Sequence, residues 1–524
     1  MKIMFVIVGI IFCCSCGDPD LFHFDKMGKP QGWEPTYSLL LAHANFSMWD
    51  AWGGGSSDDA TLKKDENGQL MMEYRHPDIY TLGVDELYSM QAEDMFFNGS
   101  FPINYTHFSG GQGTLQNPHY DTLQVPFQLE QLLPDVSIRE ATLSIKSMTF
   151  IVMNNANIGG TLTVICENLY SLETGDKITI PLVLTPGVSN TFYSTAVPNL
   201  KAVLNGSDIV PLTFILKVDD TTRMQNKQNV MIDIATTGVE YKNVNLFLPS
   251  ATLELPQQRF RPDIPLLNAL SGDFEFVRPE LKISARTKGI GATFHLQPME
   301  FTVDNTGKTL HSDEVFTFAG EKQNINEVSS YFIYQALNSN ISEVADLWSG
   351  NEISCDGGQL QYGGNEEMWL YAGGKLSFDL SLKIPLEISA TELIYYDTIC
   401  DLNLKDADKI LAARLKFEGE NGIGMELGIP EVLLLDENGD LLDQIKNEKS
   451  DMVFPAATEA GSAKGCVEIT LTPVNMQHLA ESKRIVLKIV AKSGVGESVT
   501  INDLSKLDLK LRLEAKVDMG EVFD

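Results

Sequence analysis

The sequence predicts an all-β chain of tandem immunoglobulin-like sandwiches carrying one or two short helices, and three observations predict it. Apolar and polar residues alternate over short stretches, most cleanly where Leu507, Leu509, Leu511, Leu513, Ala515 and Val517 alternate with Asp508, Lys510, Arg512, Glu514 and Lys516. That period of two is the signature of a strand with one buried and one wet face. Turn signals recur about every ten residues, as the short strands of a sandwich require. A unit also repeats: residues 276–310 read as a strand, a break at Gly289-Ile290-Gly291, a second strand and a turn at Thr306-Gly307. Residues 413–442 repeat it with Gly422-Ile423-Gly424 and Asn438-Gly439, and residues 141–178 follow more loosely with Asn157-Ile158-Gly159-Gly160 and Thr174-Gly175. A recurrence at roughly 130 residues has the length of one small β domain and is too long for a solenoid or propeller repeat.

Length and charge set the outer limits. At 524 residues the chain exceeds one core and suits several domains. With 39 Lys and Arg against 71 Asp and Glu, the formal charge of −32 excludes nucleic acid as a partner, because that binding rests on cations neutralising phosphates. A solvated acidic coat is the reading favoured over a dedicated cation-binding surface.

Taken in order, the chain opens with Lys2 and an apolar run from Ile3 to Phe12, the length of a signal-peptide core and too short to span a bilayer. Cys13-Cys14-Ser15-Cys16-Gly17 follows, then a polar tether with Asp18 and Asp20. Asn67-Gly68 between alternating segments predicts a type I′ hairpin that puts Leu70, Met72 and Tyr74 on one face. Residues 85–125 read as long loops with an edge strand. From 126 to 255 the pattern is steadily β, with Leu143, Ile145, Phe150 and Val152 leading to Leu162, Val164 and Cys166, and further alternation at 212–216, 230–234 and 244–248. Three prolines between Pro256 and Leu267 mark a linker. Asn340 as N-cap, Glu343 three residues on, an apolar stripe of Ile341, Val344, Leu347 and Trp348, and Gly350 as stop predict one helix. Its plainest role is to plug the open end of a sandwich with Trp348 in the core, the other being to cover a binding mouth. The expected divisions are therefore a leader at 1–16, a tether and N-terminal β region at 17–125, and sandwiches at 126–255, 256–390 and 391–524. The last strand, 507–517, closes the third of these or is donated to a neighbouring molecule.

Chemistry leaves few marks. There is no G-x-S-x-G, H-E-x-x-H, Walker loop or dinucleotide fingerprint, so no catalytic residue, metal or cofactor is assigned and an enzyme is not expected. Asp436-Glu437-Asn438-Gly439-Asp440 offers oxygens at calcium-loop spacing, but Gly stands at the fourth position and Asn447 at the twelfth, so a hairpin turn explains it better. Trp49 and Trp52 beside a Gly-rich loop are the candidates for stacking on a sugar, with packing in a sandwich core or rim the favoured alternative. His43 on an apolar stretch reads as a core side chain. Cys166, alternating with Val164 on an apolar strand, reads as a small buried hydrophobe, and whether Cys355 and Cys400 pair stays open.

Cys16 with its preceding small residue resembles the lipobox of bacterial lipoproteins, with Cys13 where an aliphatic residue is usual; the resemblance implies lipidation at Cys16 and a membrane partner through that lipid, against a plain secretory signal. Asp18 and Asp20 resemble the surface-export signal of Bacteroidota lipoproteins, or are a solvated linker. Asp121-Thr122-Leu123, Asp220-Thr221-Thr222 and Asp397-Thr398-Ile399 match the three-residue O-glycosylation pattern of exported Bacteroidota proteins, which implies modification at Thr122, Thr221 and Thr398. The leader, the stretch from Thr36 to Asp50, the hairpin and the repeated unit together resemble Bacteroidota cell-envelope lipoproteins. The unit itself is similar to the small β-sandwich of late-embryogenesis-abundant (WHy) type, with Thr287-Lys288 and Glu420-Asn421 where Asn-Pro is usual. The resemblance implies an outer-membrane lipoprotein at the cell surface with a binding or structural, adhesin-like or assembly role and a protein or glycan partner. The alternative is a glycan-binding lipoprotein of a polysaccharide-uptake system.

Overall fold

The computed structural model describes residues 36–47, 49, 62–88, 95–103, 119–128, 136–207, 209–220, 222–225, 227–323, 325–400, 410–447, 454–458 and 461–517. Strands make up 67% of it and helices 6%, so the chain is all-β. From the N-terminus come β1 (Thr36–Ser47), β2 (Leu62–Lys64), β3 (Leu70–Gly83), β4 (Met95–Ile103) and β5 (His119–Gln128). Longer strands follow: β6 (Ser137–Asn154), β7 (Gly159–Ser171), β8 (Lys177–Leu184), β9 (Asn190–Val203), β10 (Ile209–Asp220) and β11 (Gln228–Phe247). Next are β12 (Ala251–Glu254), β13 (Gln258–Phe260), β14 (Ser271–Phe276), β15 (Glu280–Gly291), β16 (Thr293–Leu296), β17 (Phe301–Val303), β18 (Lys308–Leu310) and β19 (Phe316–Ala319). Then come β20 (Glu327–Tyr334), β21 (Ile353–Cys355), β22 (Gln359–Tyr362), β23 (Glu367–Pro385) and β24 (Glu387–Cys400). The chain closes with β25 (Ile410–Asn421), β26 (Glu426–Leu435), β27 (Leu441–Lys446), β28 (Ala463–Leu471), β29 (Arg484–Lys492), β30 (Val499–Thr500) and β31 (Lys506–Val517). Three helices are described: α1 (Val84–Leu87), α2 (Pro265–Ala269) and α3 (Pro473–Glu481).

The strands build three two-layer sandwiches. In the upstream one, β4-β11-β6-β9 faces β5-β10-β7-β8, with Phe97 stacked on Phe214 across the gap at 5.9 Å. The central one sets β2-β3-β23-β15-β20 against two small sheets, β12-β22-β16-β19 and β13-β21-β17-β18. In the terminal one, β1-β31-β25-β28 faces β14-β24-β29-β26-β27.

Strand pairing crosses each expected division that falls among the described residues, those near 125, 255 and 390. β1 pairs antiparallel with β31 from Thr36–Lys516 to Ser47–Lys506, so the N-terminal strand belongs to the terminal sandwich, while β2 and β3 belong to the central one. β14 leaves the central sandwich to pair with β24, and the chain returns in β15. Asn243–Phe247 of β11 pair with Glu367–Tyr371 of β23, joining upstream and central sandwiches through main-chain bonds. The β2–β3 hairpin is bonded in turn to the terminal sandwich, with Leu70 N–H donating to Ile501 O at 3.0 Å and Asp503 N–H to Gly68 O at 3.1 Å. The modules share strands and one continuous apolar core; they are interleaved rather than strung as separate beads. The reason is that a long strand offers two hydrogen-bonding edges along its whole length, and β11 and β23 outrun their own sandwiches.

The repeated unit has one structural meaning in all three places: its break carries the chain from one layer to the other. β15 and β16 lie in separate sheets, as do β25 and β26, while β6 and β7 lie on the two facing sides of one sheet that continues from β9 to β7 through pairing at Leu169, Tyr170 and Ser171. A crossing through the interior strips backbone groups of their ladder partners, and something must satisfy them. At two crossings a buried Asn does so. Asn154 Nδ2 donates to Ile158 O at 2.7 Å and Ile158 N–H donates back to Asn154 Oδ1 at 3.1 Å. Asn421 Nδ2 donates to Met425 O and Pro455 O, both at 2.8 Å, and its Oδ1 accepts from Ile423 N–H at 2.9 Å. At the third crossing there is no such clasp; buried Thr287 donates to Val328 O at 3.4 Å.

Several local expectations change. The hairpin at 65–69 is a type I turn closed by Gly68 at φ +81°, with Asn67 at ordinary negative φ, because Asp65 Oδ1 accepts from Asn67 N–H at 2.8 Å and Gln69 N–H at 2.9 Å. Asp436 does the same for Asn438 and Asp440, both at 2.8 Å, with Gly439 at φ +89°. The turn explanation of that stretch therefore stands, as a type I turn rather than type I′. In place of a helix from Asn340 there are two 3₁₀ turns, Ile341–Glu343 and Ala345–Leu347. Asn340 is drawn away from capping: its Oδ1 accepts from His311 N–H at 3.0 Å and its Nδ2 donates to Thr309 O at 2.9 Å. Trp348 is nonetheless fully buried, against Phe260 and Phe301. The proline-rich 256–267 stretch is no free linker, since Phe260, Ile264 and Leu266 are core residues. Within 85–125, expected as long loops with one edge strand, the described residues supply two, β4 on β11 and the start of β5 on β10. The helix α3 carries a weak local signal; Thr472 and Asn475 form its capping box, with Asn475 in the place usually filled by Glu or Gln. Finally, β31 is paired on both edges, with β1 and β25, so it is not a strand left over for a neighbour.

Candidate binding groove

Two small apolar voids lie inside the sandwiches, about 30 Å³ upstream and about 40 Å³ in the terminal module, both too dry to receive a polar ligand. The candidate site lies instead on the wet face of the central sandwich. There β3, β23, β15 and β20 form an open groove of about 660 Å³ floored by charged and hydroxyl side chains and edged by Tyr331.

Register explains why these residues meet. On a strand every second side chain faces outward, so β15 presents Glu280, Lys282, Ser284 and Arg286 in a row while Leu281, Ile283 and Ala285 enter the core. Across β23, Lys383 stands opposite Glu280, Ser381 opposite Lys282 and Asp379 opposite Ser284; on β20, Tyr331 stands opposite Ser284. β3 adds Glu73 opposite Lys383 and Arg75 opposite Ser381.

Two ion clusters hold this floor. Glu73 receives Lys63 at 2.7 Å and Arg75 at 2.6 Å; burial works to raise its pKa, but the hydrogen bonds from Lys63 and Arg75 outweigh it and leave the carboxyl below its ordinary value. At the other end the β3–β23 register shifts at Pro77-Asp78, and Asp78 takes a left-handed φ of +50°. The bulge turns Asp78 so that its N–H donates to Asp379 Oδ1 at 2.8 Å and its carboxylate meets Arg286 at 2.8 Å. Arg286 Nε also reaches Asp379 Oδ2 at 2.7 Å. Both carboxylates thus converge on one guanidinium, with Lys375 Nζ 3.7 Å from Asp78. Between the clusters, Lys282 Nζ lies 4.3 Å over the ring of Tyr331, which is 62% exposed. A flat aromatic ring among fixed polar groups can stack on a planar apolar face while its neighbours take up hydrogen bonds.

Of the residues singled out from sequence, Cys16, Trp52 and Thr221 lie outside the described residues. Trp49 is partly buried against the core with Lys64 Nζ 5.0 Å over its ring. Thr122 on β5 and Thr398 on β24 are both exposed on strands. They stand in different sandwiches, neither at the groove. His43 is a surface residue, its Nε2 2.9 Å from Asp508 Oδ1, not a core side chain; β1 is an edge strand and its outward row stays wet. Cys166 and Cys355 are both buried and free, with burial pushing the thiols up to about 12 and about 11, so Cys166 is a small apolar filler; the side chain of Cys400, the other half of the open pairing, lies outside the described residues. Among the described residues no three His, Cys, Asp or Glu converge to hold a metal ion, and no helix is long and apolar enough to cross a membrane.

The groove residues themselves were missed. Alternation marks Lys282, Ser284 and Arg286 as one outward row, but nothing in the sequence tells that Tyr331, Asp379 and Glu73 lie beside it.

Comparison with known proteins adds little. No family model matches the chain, and no curated protein matches it. Among solved structures, a protein of Parabacteroides distasonis described as secreted is similar over 52% of this chain and 89% of its own, at 15% identity and a TM-score of 0.30. The VP2 subviral particle of infectious bursal disease virus is similar over 82% of each chain, at 8% identity and a TM-score of 0.12. Neither score is high enough to carry an argument about function.

Proposed function

We propose that the chain is a lipid-anchored envelope protein, displayed at the cell surface, that binds a polysaccharide in the groove of its central sandwich. The groove carries this reading: an exposed Tyr331 stands beside preset polar groups on a sheet whose other face is welded into the core. A donated last strand would have favoured the adhesin-like or assembly role over this reading, and β31 is already paired on both edges. Anchoring is inferred from the leader and the Cys-Gly junction at 16–17.

Two measurements test the two halves. Growth on a labelled fatty acid should label the wild-type chain and leave Cys16→Ala unlabelled; equal labelling of both would remove the anchor. For the groove, Tyr331→Ala should weaken polysaccharide retardation in affinity electrophoresis about tenfold, the worth of one aromatic stacking contact. Unchanged retardation would place binding elsewhere. Because Tyr331 is exposed, loss of binding with an unchanged circular dichroism spectrum is not a folding effect.

A further inference from the structure

We infer that the groove selects an acidic polysaccharide, read by the ammonium groups of Lys282 and Lys383; this rests on the polysaccharide reading of the same groove. A chain of net charge −32 repels polyanions over most of its surface. The groove departs from that average because its carboxylates are largely engaged already. Glu73 is held by Lys63 and Arg75, and Asp379 by Arg286 and the Asp78 N–H. Lys282 and Lys383 have no carboxylate within ion-pair distance among the described residues. Lys282 leans over Tyr331 instead, a contact that leaves the ammonium's remaining donors free. The one groove carboxylate in the same unpaired state is Glu280, across from Lys383. Two free cations therefore face one free anion on the floor.

Their spacing suits a polymer. Lys383 stands one strand across and two residues along from Lys282, which sets their Cα atoms roughly 8 Å apart. Ser284 and Ser381 lie between and beside them, offering hydroxyls that both donate and accept. An extended acidic chain laid across the strands can present successive negative charges to the two lysines while one ring stacks on Tyr331. A neutral glycan would use the stacking and the hydroxyls and leave both ammonium groups without a partner.

The test compares polygalacturonate, chondroitin sulfate and dextran on the mature full-length protein by affinity electrophoresis at low and high salt. The expected result is at least about tenfold tighter binding of one acidic polymer than of dextran, weakening as salt screens the contact. Which acidic polymer binds separates a carboxylate from a sulfate ligand. A double variant, Lys282→Gln with Lys383→Gln, should lose about tenfold, whereas Glu280→Gln should tighten binding about twofold by removing the opposing charge. Dextran binding that is lost in Tyr331→Ala but untouched by the lysine changes would keep the groove and overturn the acidic ligand. Acidic-polymer binding indifferent to all these variants, or no binding by any polymer, would overturn both readings.

Discussion

Replacing Trp348 by Ala is expected to destabilise the protein by about 3–5 kcal/mol, the range found for emptying a large aromatic site in a core. The side chain is fully buried and wedged between Phe260, ring centroids 6.1 Å apart, and Phe301 at 5.7 Å. It sits after two consecutive 3₁₀ turns whose own hydrogen bonds are few, so the segment from Ile341 to Gly350 is held down by the indole more than by its backbone. Neighbouring strands cannot collapse into the void, because β13, β17 and β21 are locked to one another by pairing. Trp348→Phe should cost far less. The indole Nε1–H has no hydrogen-bond partner among the described residues, and Phe removes that unpaired donor while keeping most of the apolar contact. Urea denaturation followed by tryptophan-independent circular dichroism measures both; a loss below about 1 kcal/mol for Trp348→Ala would show that the site relaxes and that the packing argument is wrong.

The second large effect is expected at a polar residue. Asn421→Leu should cost about 2–4 kcal/mol, although Leu is apolar, has the same branched skeleton and is placed in a fully buried position. Simple hydrophobic reckoning predicts the opposite sign. The amide of Asn421 satisfies Met425 O, Pro455 O and Ile423 N–H at once, and removing it strands three backbone groups in the interior at the crossing between layers. Asn421→Asp would keep the acceptor for Ile423 N–H but turn the donor toward two carbonyls into a second acceptor, so it should be no better. Asn154→Leu, which breaks the matching clasp upstream, should behave alike, and because the two sites lie in different sandwiches their costs should add. If both leucine variants melt like the wild type, the clasp does not hold the crossings.

Much of this architecture was legible beforehand, and the illegible parts share a cause. Alternation at 507–517 identified β31 and its buried face, and the recurring break at 157–160, 289–291 and 422–424 marked three strand ends that turn out to be places where the chain changes layers. Helix signals were less dependable. The Asn340 cap was taken up by tertiary partners at Thr309 and His311, whereas the Thr472 box, with an Asn in place of Glu or Gln, drew no notice and did form a helix. Short caps are worth about 1 kcal/mol, so a competing hydrogen bond from a neighbouring strand decides between them.

What the sequence by itself determined was the kind of structure: strands, their inward faces, and the places of the turns and breaks between them, because each depends on residues within a few positions of one another and on hydrophobic periodicity. Which strands pair was decided only by the tertiary structure. β1 completes a sheet with a strand that begins more than four hundred positions later, and Tyr331, Lys282, Asp379 and Glu73 share a floor through the registers of four strands. Every strand edge presents the same row of N–H and C=O groups, so local composition does not say which edge will meet which. The groove exists because those pairings were chosen by the packing of the whole chain.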